Sequence, residues 1–444
     1  MKFISNQFQQ VDNSNLILFR IVFGFLLFAE TLGAILTGWV RRVMIEPEFN
    51  FTLIGLEWMQ PPAGNFMYFY YCAMAVCGLL VMVGLYYRPA IILFTVLWAV
   101  TYWMQKSSYN NHYYFLILLG AFMAILPANK YASIDAKRTP NIKSLSCPKW
   151  CYSVFILQMW IVYTYASLHK LYPGWIDGDF IEMNFAGKAN LPIIGSLLQE
   201  KWLQQMVVIG GIAFDGLVVC FMLWKRTRLA AFSIGLFFHL FNSAVFQIGI
   251  FPYLMIGLAV FFFEPETIRK RFFKKKPIFE IEENKAISLS PKQKYLAYAL
   301  ILYFVFQVAL PLRNHLFEGN VFYTEEGHRL SWRMMLRYKI GRCTFEVTNP
   351  QNDSTWVVNP NDYLVPKQVR SMAGKPDMIW QFAQHIENQY KLDGYNDVEV
   401  RAISSVRLNS GPYHTLIDSE TDLTSVPWDR FKHSEWILSP KDQD

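Results

Sequence analysis

The chain has 444 residues, 53% of them hydrophobic and 17% aromatic, with a mean hydropathy of +0.19. Soluble domains hold about 45–50% apolar residues on a count that includes glycine and omits tyrosine, so this composition excludes a single ordinary soluble enzyme. The net charge of +7 is unevenly spread. Arg269-Lys270-Arg271 and Lys274-Lys275-Lys276 form one dense cluster, which beside membrane spans reads as a cytoplasmic loop or an anionic-lipid contact, not a nucleic-acid surface.

In chain order, Met1 to Asn15 is short and polar and no small-residue cleavage site follows the first apolar run, which is therefore expected to be retained as a span. A hydrocarbon core about 30 Å thick needs about 20 apolar residues per helix. Candidate spans are 16–39, 64–86, 88–106, 110–127, 150–170, 204–224, 228–246, 250–263 and 295–312, the eighth being short. Segments 49–62 and 174–203 mix aromatic residues with charges and prolines and read as interfacial or re-entrant pieces. With a cytoplasmic N-terminus, the inside loops near 86–88, 128–149, 225–228 and 264–294 carry 18 Lys/Arg. The outside loops near 40–63, 105–109, 170–203 and 247–249 carry 6, so nine spans leave the tail on the extracytoplasmic face.

The tail changes period. Thr344-Phe345-Glu346-Val347, Thr355-Trp356-Val357-Val358 and Val398-Glu399-Val400-Arg401 alternate as strands. Asn349 to Asp353 has turn composition, and 367–392 carries apolar residues at helical spacing. The expected fold is a polytopic α-helical membrane protein of about nine transmembrane helices over residues 1–313, with a C-terminal extramembrane α+β domain over 314–444.

Polar side chains recur near the outer ends of the spans. Asn111-His112 opens the fourth, His169-Lys170 closes the fifth, His239 and Asn242 lie in the seventh, and His315 follows the ninth. Asp215 lies inside the sixth, and Arg20 and Glu30 inside the first. Lys170 has two readings. A lysine at a helix end can snorkel to the headgroups; a lysine held inside is costly, about +2.5 to +3.5 kcal/mol at a helix centre, and is a functional candidate. For Asp215 an interhelical hydrogen bond is the plain alternative, and for His239 a satisfied interior position. Six cysteines show no zinc-like pairing; Cys147-x-x-x-Cys151 has no second pair beside it, and no metal site is expected. HExxH, Walker A, GxGxxG and GxSxG motifs are absent from the sequence.

The ordered set of motifs resembles the vitamin K-dependent γ-glutamyl carboxylase family, including its bacterial homologues with an HTTM-like membrane domain. The matching pieces are Leu18-Phe19-Arg20-x-x-Phe23-Gly24-Phe25, Gly84-Leu85-x-Tyr87-Arg88, Asn110-Asn111-His112-x-Tyr114 and Ala166-x-x-x-Lys170-Leu171 with Trp175-x-x-Gly178. They continue with His239-x-x-Asn242-Ser243-x-x-Phe246-x-Ile248-Gly249-x-Phe251, Ser331-Trp332-x-Met334-Met335, Trp428 and Ser434-x-Trp436. The resemblance implies a cofactor, reduced vitamin K or a menaquinol-type hydroquinone, with O2 and CO2 as co-substrates. It implies that a lysine, falling on Lys170, deprotonates the hydroquinone; oxygenation then yields a strong base that removes a glutamyl γ-proton, and the carbanion captures CO2 as the quinone leaves as its epoxide. It places a residue assisting the carbanion step on His112, and another histidine, with a one-residue shift, on His315. Asn111, His239, Asn242, His315, Trp332, Met334 and Met335 are the expected quinol- and substrate-binding residues, the last three closing the pocket from above. The implied partners are membrane lipids and a glutamate-containing peptide or protein. This chain lacks the segments tied to propeptide docking and the cysteine pair that tethers the outer domain in animal members, and it carries His169 where they have a second lysine. Three functions follow as alternatives: a carboxylase, a quinol epoxidase or oxidase without carboxylation, and a non-catalytic scaffold.

Overall fold

Between the first two membrane helices the backbones touch. Helix α1 (Ser14–Leu36) and α2 (Phe66–Val83) meet at Gly24 and Gly78, where a Cβ would collide with the Met82 and Phe28 backbones respectively. Lipid tails are as apolar as leucine, so close approach through small residues is what drives such contacts. The computed structural model describes residues 2–246, 248–280 and 288–440. The stretch 281–287 of the basic loop and Gln247 of the loop after the seventh span lie outside the described residues, as do 441–444 of the C-terminal domain.

Helices stand at each expected span. After α2 come α3 (Tyr87–Met104), α4 (Asn111–Ile125), α5 (Trp150–Leu168), α6 (Lys201–Leu223) and α7 (Arg228–Phe246). They are followed by α8 (Phe251–Leu258), α9 (Pro265–Phe272) and α10 (Pro291–Ala309). Among the described residues, six are long and apolar enough to cross a membrane: α1, α2, α5, α6, α7 and α10 with the 3-10 turn after it. A seventh counts if Phe251–Phe262 and Pro265–Phe272, bent by 113°, form one broken span. These apolar helices make it a membrane protein; six or seven of the described helices meet the length and composition of a span, fewer than the nine expected. Helix α4 has only 15 residues, and α3 is diluted by Arg88, Pro89 and its Thr, Tyr and Trp residues.

Local chemistry sets the helix ends. Gly84 closes α2 in the left-handed region (φ 66°), and the Asp135 carboxylate accepts the Tyr86 and Tyr87 N–H groups at 2.8 and 3.1 Å to start α3. Asn110 caps α4 by accepting the Tyr113 N–H at 2.9 Å. Ser290 and Gln293 make a capping box before α10. Arg20 is fully buried and donates to the Ala132 carbonyl at 2.6 Å. The basic cluster is only partly a free surface, because Arg269 and Lys276 are buried and Lys276 pairs with Asp12 at 2.5 Å.

The C-terminal region is α+β. Its antiparallel sheet comprises β1 (Lys339–Asn349), β2 (Ser354–Val358), β3 (Glu399–Leu408) and β4 (His414–Thr415), in the order β2-β1-β3-β4. The Asn349 to Ser354 turn forms the expected hairpin. The single expected helix is two, α11 (Pro366–Met372) and α12 (Pro376–Leu392), broken where Pro376 restricts the chain. Inward-facing Phe345, Val347, Val400 and Ala402 pack on Met378, Ile379 and Phe382 of α12. The same core contains Phe51, with Phe49 against it. The first part of segment 49–62 therefore belongs to this outer core, not to the membrane interface. Aromatic composition suits either place; the Gln368 side chain, donating to the Phe49 carbonyl at 2.7 Å, fixes which. In segment 174–203, Trp175, Phe180 and Phe185 form a buried cluster, whereas Trp202 is exposed.

Candidate functional site

Helix α5 ends at Leu168, and the next turn carries Lys170 inward. Lys170 is 7% exposed and its Nζ forms an ion pair with Oδ2 of Asp215, itself 6% exposed, on α6. The ammonium therefore does not snorkel to the surface. Gly211 lies one turn before Asp215 on the same face. A Cβ there would crowd the Trp175 ring at 3.3 Å and stand at ordinary contact distance, 3.8 Å, from Lys170 Cε, so this glycine makes room for Trp175. Nζ also lies 5.1 Å from the Trp175 ring centre. A desolvated pair of this kind has little net stabilising value, and losing one member is costly.

The histidines gather around a second element. His112, in the first turn of α4, has its ring 4.2 Å from that of Phe251, and His239 lies 6.3 Å from the same ring. His239 Nε2 is hydrogen-bonded to the Tyr163 hydroxyl at 2.7 Å. Phe214, adjacent to Asp215 in sequence, packs on both Tyr163 and His239 (5.8 and 6.0 Å), which links the histidine cluster to the Lys170–Asp215 pair. Asn242 is half-buried on α7, three residues beyond His239.

Segment 330–336 closes over this cluster. Trp332 is fully buried, stacked on Tyr114 at 5.1 Å and edge-on to Phe115 at 6.0 Å, and Phe115 in turn meets Phe251 at 6.1 Å. Asn111 donates from Nδ2 to the Arg333 carbonyl at 2.9 Å, and the Tyr109 hydroxyl accepts the Leu330 N–H at 3.1 Å. Leu330, Trp332 and Met335 have φ of 61°, 58° and 52°. Three non-glycine residues in the left-handed region carry strain, which the anchors from α4 hold in place. Met334 packs on the membrane core, whereas Met335 is 37% exposed and His315, in the 3-10 turn Leu310–Leu316, is exposed. Lys170, His112, His239, Asn111 and Trp332 are thus joined through packed neighbours; His315 and Met335 are peripheral.

Some of the molecule's unmet hydrogen-bonding capacity lies here. Among the described residues, His239 Nδ1, His169 Nδ1, Trp332 Nε1 and Asn314 Oδ1 are buried without a hydrogen-bond partner. Buried polar atoms are almost always satisfied, so orphans beside packed aromatic rings fit an aromatic ligand bearing hydroxyl groups.

A buried charge cluster lies at the join with the outer domain, and the sequence reading did not single it out. Asp377 receives Arg329 in a fork (2.8 and 3.1 Å) and Lys106 at 2.8 Å. Burial disfavours its charge, yet Arg329 and Lys106 hold its pKa well below the usual carboxylate range. Glu325 behaves alike: burial opposes ionisation, and Arg337 and Lys339 overcome it. Burial lowers Lys339 to about 8. A cavity of about 530 Å³ runs beneath, bounded by Tyr102, Tyr109, Tyr114, Arg313, Arg329 and Trp428 among others. Lys170 does not line it, and Trp332 stacks on Tyr114 of its wall. The charge-rich run Glu325-Glu326-Gly327-His328-Arg329 was the available signal.

Fold and site define a class: a polytopic helical membrane domain, clamped by buried ion pairs to an α+β domain, with a buried lysine–carboxylate pair and a histidine–aromatic cluster at one end. Residues 8–266 match the HTTM domain, and residues 292–443 match the vitamin K-dependent gamma-carboxylase lumenal domain. The chain belongs to the vitamin K-dependent γ-carboxylase family, and has its carboxylase-like domain make-up. No solved structure matches it.

Proposed function

We propose that the protein carboxylates glutamyl side chains at the expense of a vitamin K-type hydroquinone, with Lys170 as the base. The observation that carries this reading is the desolvated Lys170–Asp215 pair in a chain with both domains of the carboxylase family. A lysine is a base only when neutral. Asp215, paired with Nζ, orients the lysine and is placed to take on the proton it abstracts. His112 and His239, both flanking Phe251, face the reacting groups, and His112 serves the glutamyl deprotonation step. Trp332 and Asn111 position the closing segment and exclude water, which would quench a strong base.

The hydroquinone fits the orphaned donors and acceptors around Phe115, Phe251 and Trp332; His239 Nδ1 and Trp332 Nε1 would hold its oxygens, with Asn242 and Met334 at the edges. When bound, with O2 and CO2, it would supply the oxidative driving force of the carboxylation. The larger cavity takes the glutamyl peptide. Arg313 lines it and has no carboxylate partner among the described residues, so it is available to a substrate carboxylate. The N-terminus is cytoplasmic and the α+β domain extracytoplasmic, supported by the loop charge bias and by the lumenal character of the matched domain. The test is incubation of purified protein with reduced vitamin K, O2, labelled bicarbonate and a glutamyl peptide. Epoxide and fixed label appear together under this reading; epoxide without label rejects carboxylation, and absence of both rejects catalysis.

A further inference from the structure

A separate cavity of about 250 Å³ opens among α1, α2, α3 and α4, and the proposed chemistry does not use it. Its walls include one carboxylate, Glu30, and five aromatic side chains, Trp39, Tyr71, Trp98, Tyr102 and Tyr113. The rings form two groups on its walls: Tyr113 stacks on Tyr102 at 4.9 Å and meets Trp98 at 5.3 Å, and Trp39 meets Tyr71 at 5.9 Å. Among the described residues, no lysine, arginine or histidine lines the cavity. Among the described residues, Glu30 receives one long hydrogen bond, from the Tyr113 hydroxyl at 3.4 Å. A carboxylate within a membrane helix is costly and is retained where something of opposite charge meets it. Aromatic faces attract the same charge, and cages of such rings recognise ammonium groups.

The rim has the opposite sign. Lys367 Nζ, bonded to Ser108 Oγ at 3.1 Å, stands 5.4 Å over the outer part of the wall at Trp39. Arg42 follows Trp39 in sequence, is exposed and has no carboxylate partner among the described residues, whereas its neighbour Arg41 is paired with Glu46 at 2.9 Å. Lys367 and Arg42 are electrostatic neighbours. An anionic floor beneath a cationic rim matches a zwitterion whose phosphate stays outside and whose ammonium enters. Such a group is presented at this depth by a phospholipid, because Glu30 lies in the last two turns of a spanning helix.

We propose that the cavity binds the headgroup of a zwitterionic phospholipid, with its ammonium against Glu30 inside the aromatic cage and its phosphate between Arg42 and Lys367. Glu30 Oε1 would lie 3.9 Å from a Cβ at Gly249, two residues before Phe251, and Tyr113 adjoins His112, so the lipid braces the back of the histidine cluster. The test is native mass spectrometry of the full chain in detergent with equimolar phosphatidylethanolamine and phosphatidylglycerol of identical acyl chains. The wild-type protein is expected to retain the ethanolamine lipid about tenfold better, about 1.4 kcal/mol. Glu30→Gln should abolish the preference, and Trp39→Leu, at a partly buried position beyond the end of α1, should reduce it. Arg42→Gln should weaken retention of both lipids alike. Equal retention by the wild type, or an unchanged preference in both Glu30→Gln and Trp39→Leu, overturns the site. Competition by free phosphoethanolamine as strong as by the intact lipid overturns its assignment to a lipid.

Discussion

Replacing Asp215 by Asn separates the two parts of the proposed base. Lys170 is 7% exposed and Asp215 6%, so the change leaves a buried ammonium without its counter-charge. Breaking such a pair costs about 3–5 kcal/mol, and the variant should unfold correspondingly earlier in detergent. Asp215 also fixes the position of Nζ, and without it the lysine is no longer held toward its substrate. General-base contributions run at about 10²–10⁴-fold, so epoxide formation should fall at least about 10²-fold. Lower stability alone explains neither that loss at low temperature nor its partial recovery in Asp215→Glu. The double variant Lys170→Met/Asp215→Leu sharpens the distinction. Apolar replacement of a buried pair is often neutral or stabilising, so this variant should regain stability and stay inactive. Stability is read by thermal unfolding, and turnover by epoxide chromatography. Wild-type epoxide formation in Asp215→Asn, or activity in the double variant, would refute the reasoning.

Further expectations concern other parts of the site. His112→Ala should depress carboxylation more than epoxidation, measured as fixed label against epoxide in one reaction; equal losses reject its role in the glutamyl step. The Asp377 and Glu325 carboxyls have folded pKa values below their ordinary 3.8 and 4.5. Their stabilisation is therefore fully present above about pH 5 and lost as the pH falls through the unfolded values and on toward the folded ones. Acid unfolding followed by proteolysis of the outer domain should show this, and Asp377→Asn should be about 3 kcal/mol less stable at pH 7 with a shallower acid loss. Identical acid profiles contradict the clamp. A cysteine at position 353, in the exposed hairpin, should react with an impermeant reagent on intact cells; reaction only after lysis contradicts the orientation.

Residue type made part of the site legible. Lys170, His112, His239 and Asp215 stand out because ionisable groups are rare in apolar runs. The partnership of Lys170 with Asp215 was not legible, since it joins the end of one helix to the middle of another across 45 residues. Lys106, Arg329 and Asp377 lie in polar stretches where charges are ordinary, and only folding buries them. The alternation of Phe345 and Val347 announced a strand, whereas Phe49 and Phe51 carry the same signal at a lipid interface as in a core. Helix positions followed from hydropathy; the number of crossings did not, because α4 is short and α8–α9 is bent by 113°.

The most direct measurement compares wild type and Lys170→Ala in the presence of reduced vitamin K, O2, labelled bicarbonate and a glutamyl peptide. The wild-type protein should form epoxide and fix label together, and Lys170→Ala should form neither while keeping its fold. Epoxide formation at the wild-type rate in Lys170→Ala would contradict the assignment of Lys170 as the base.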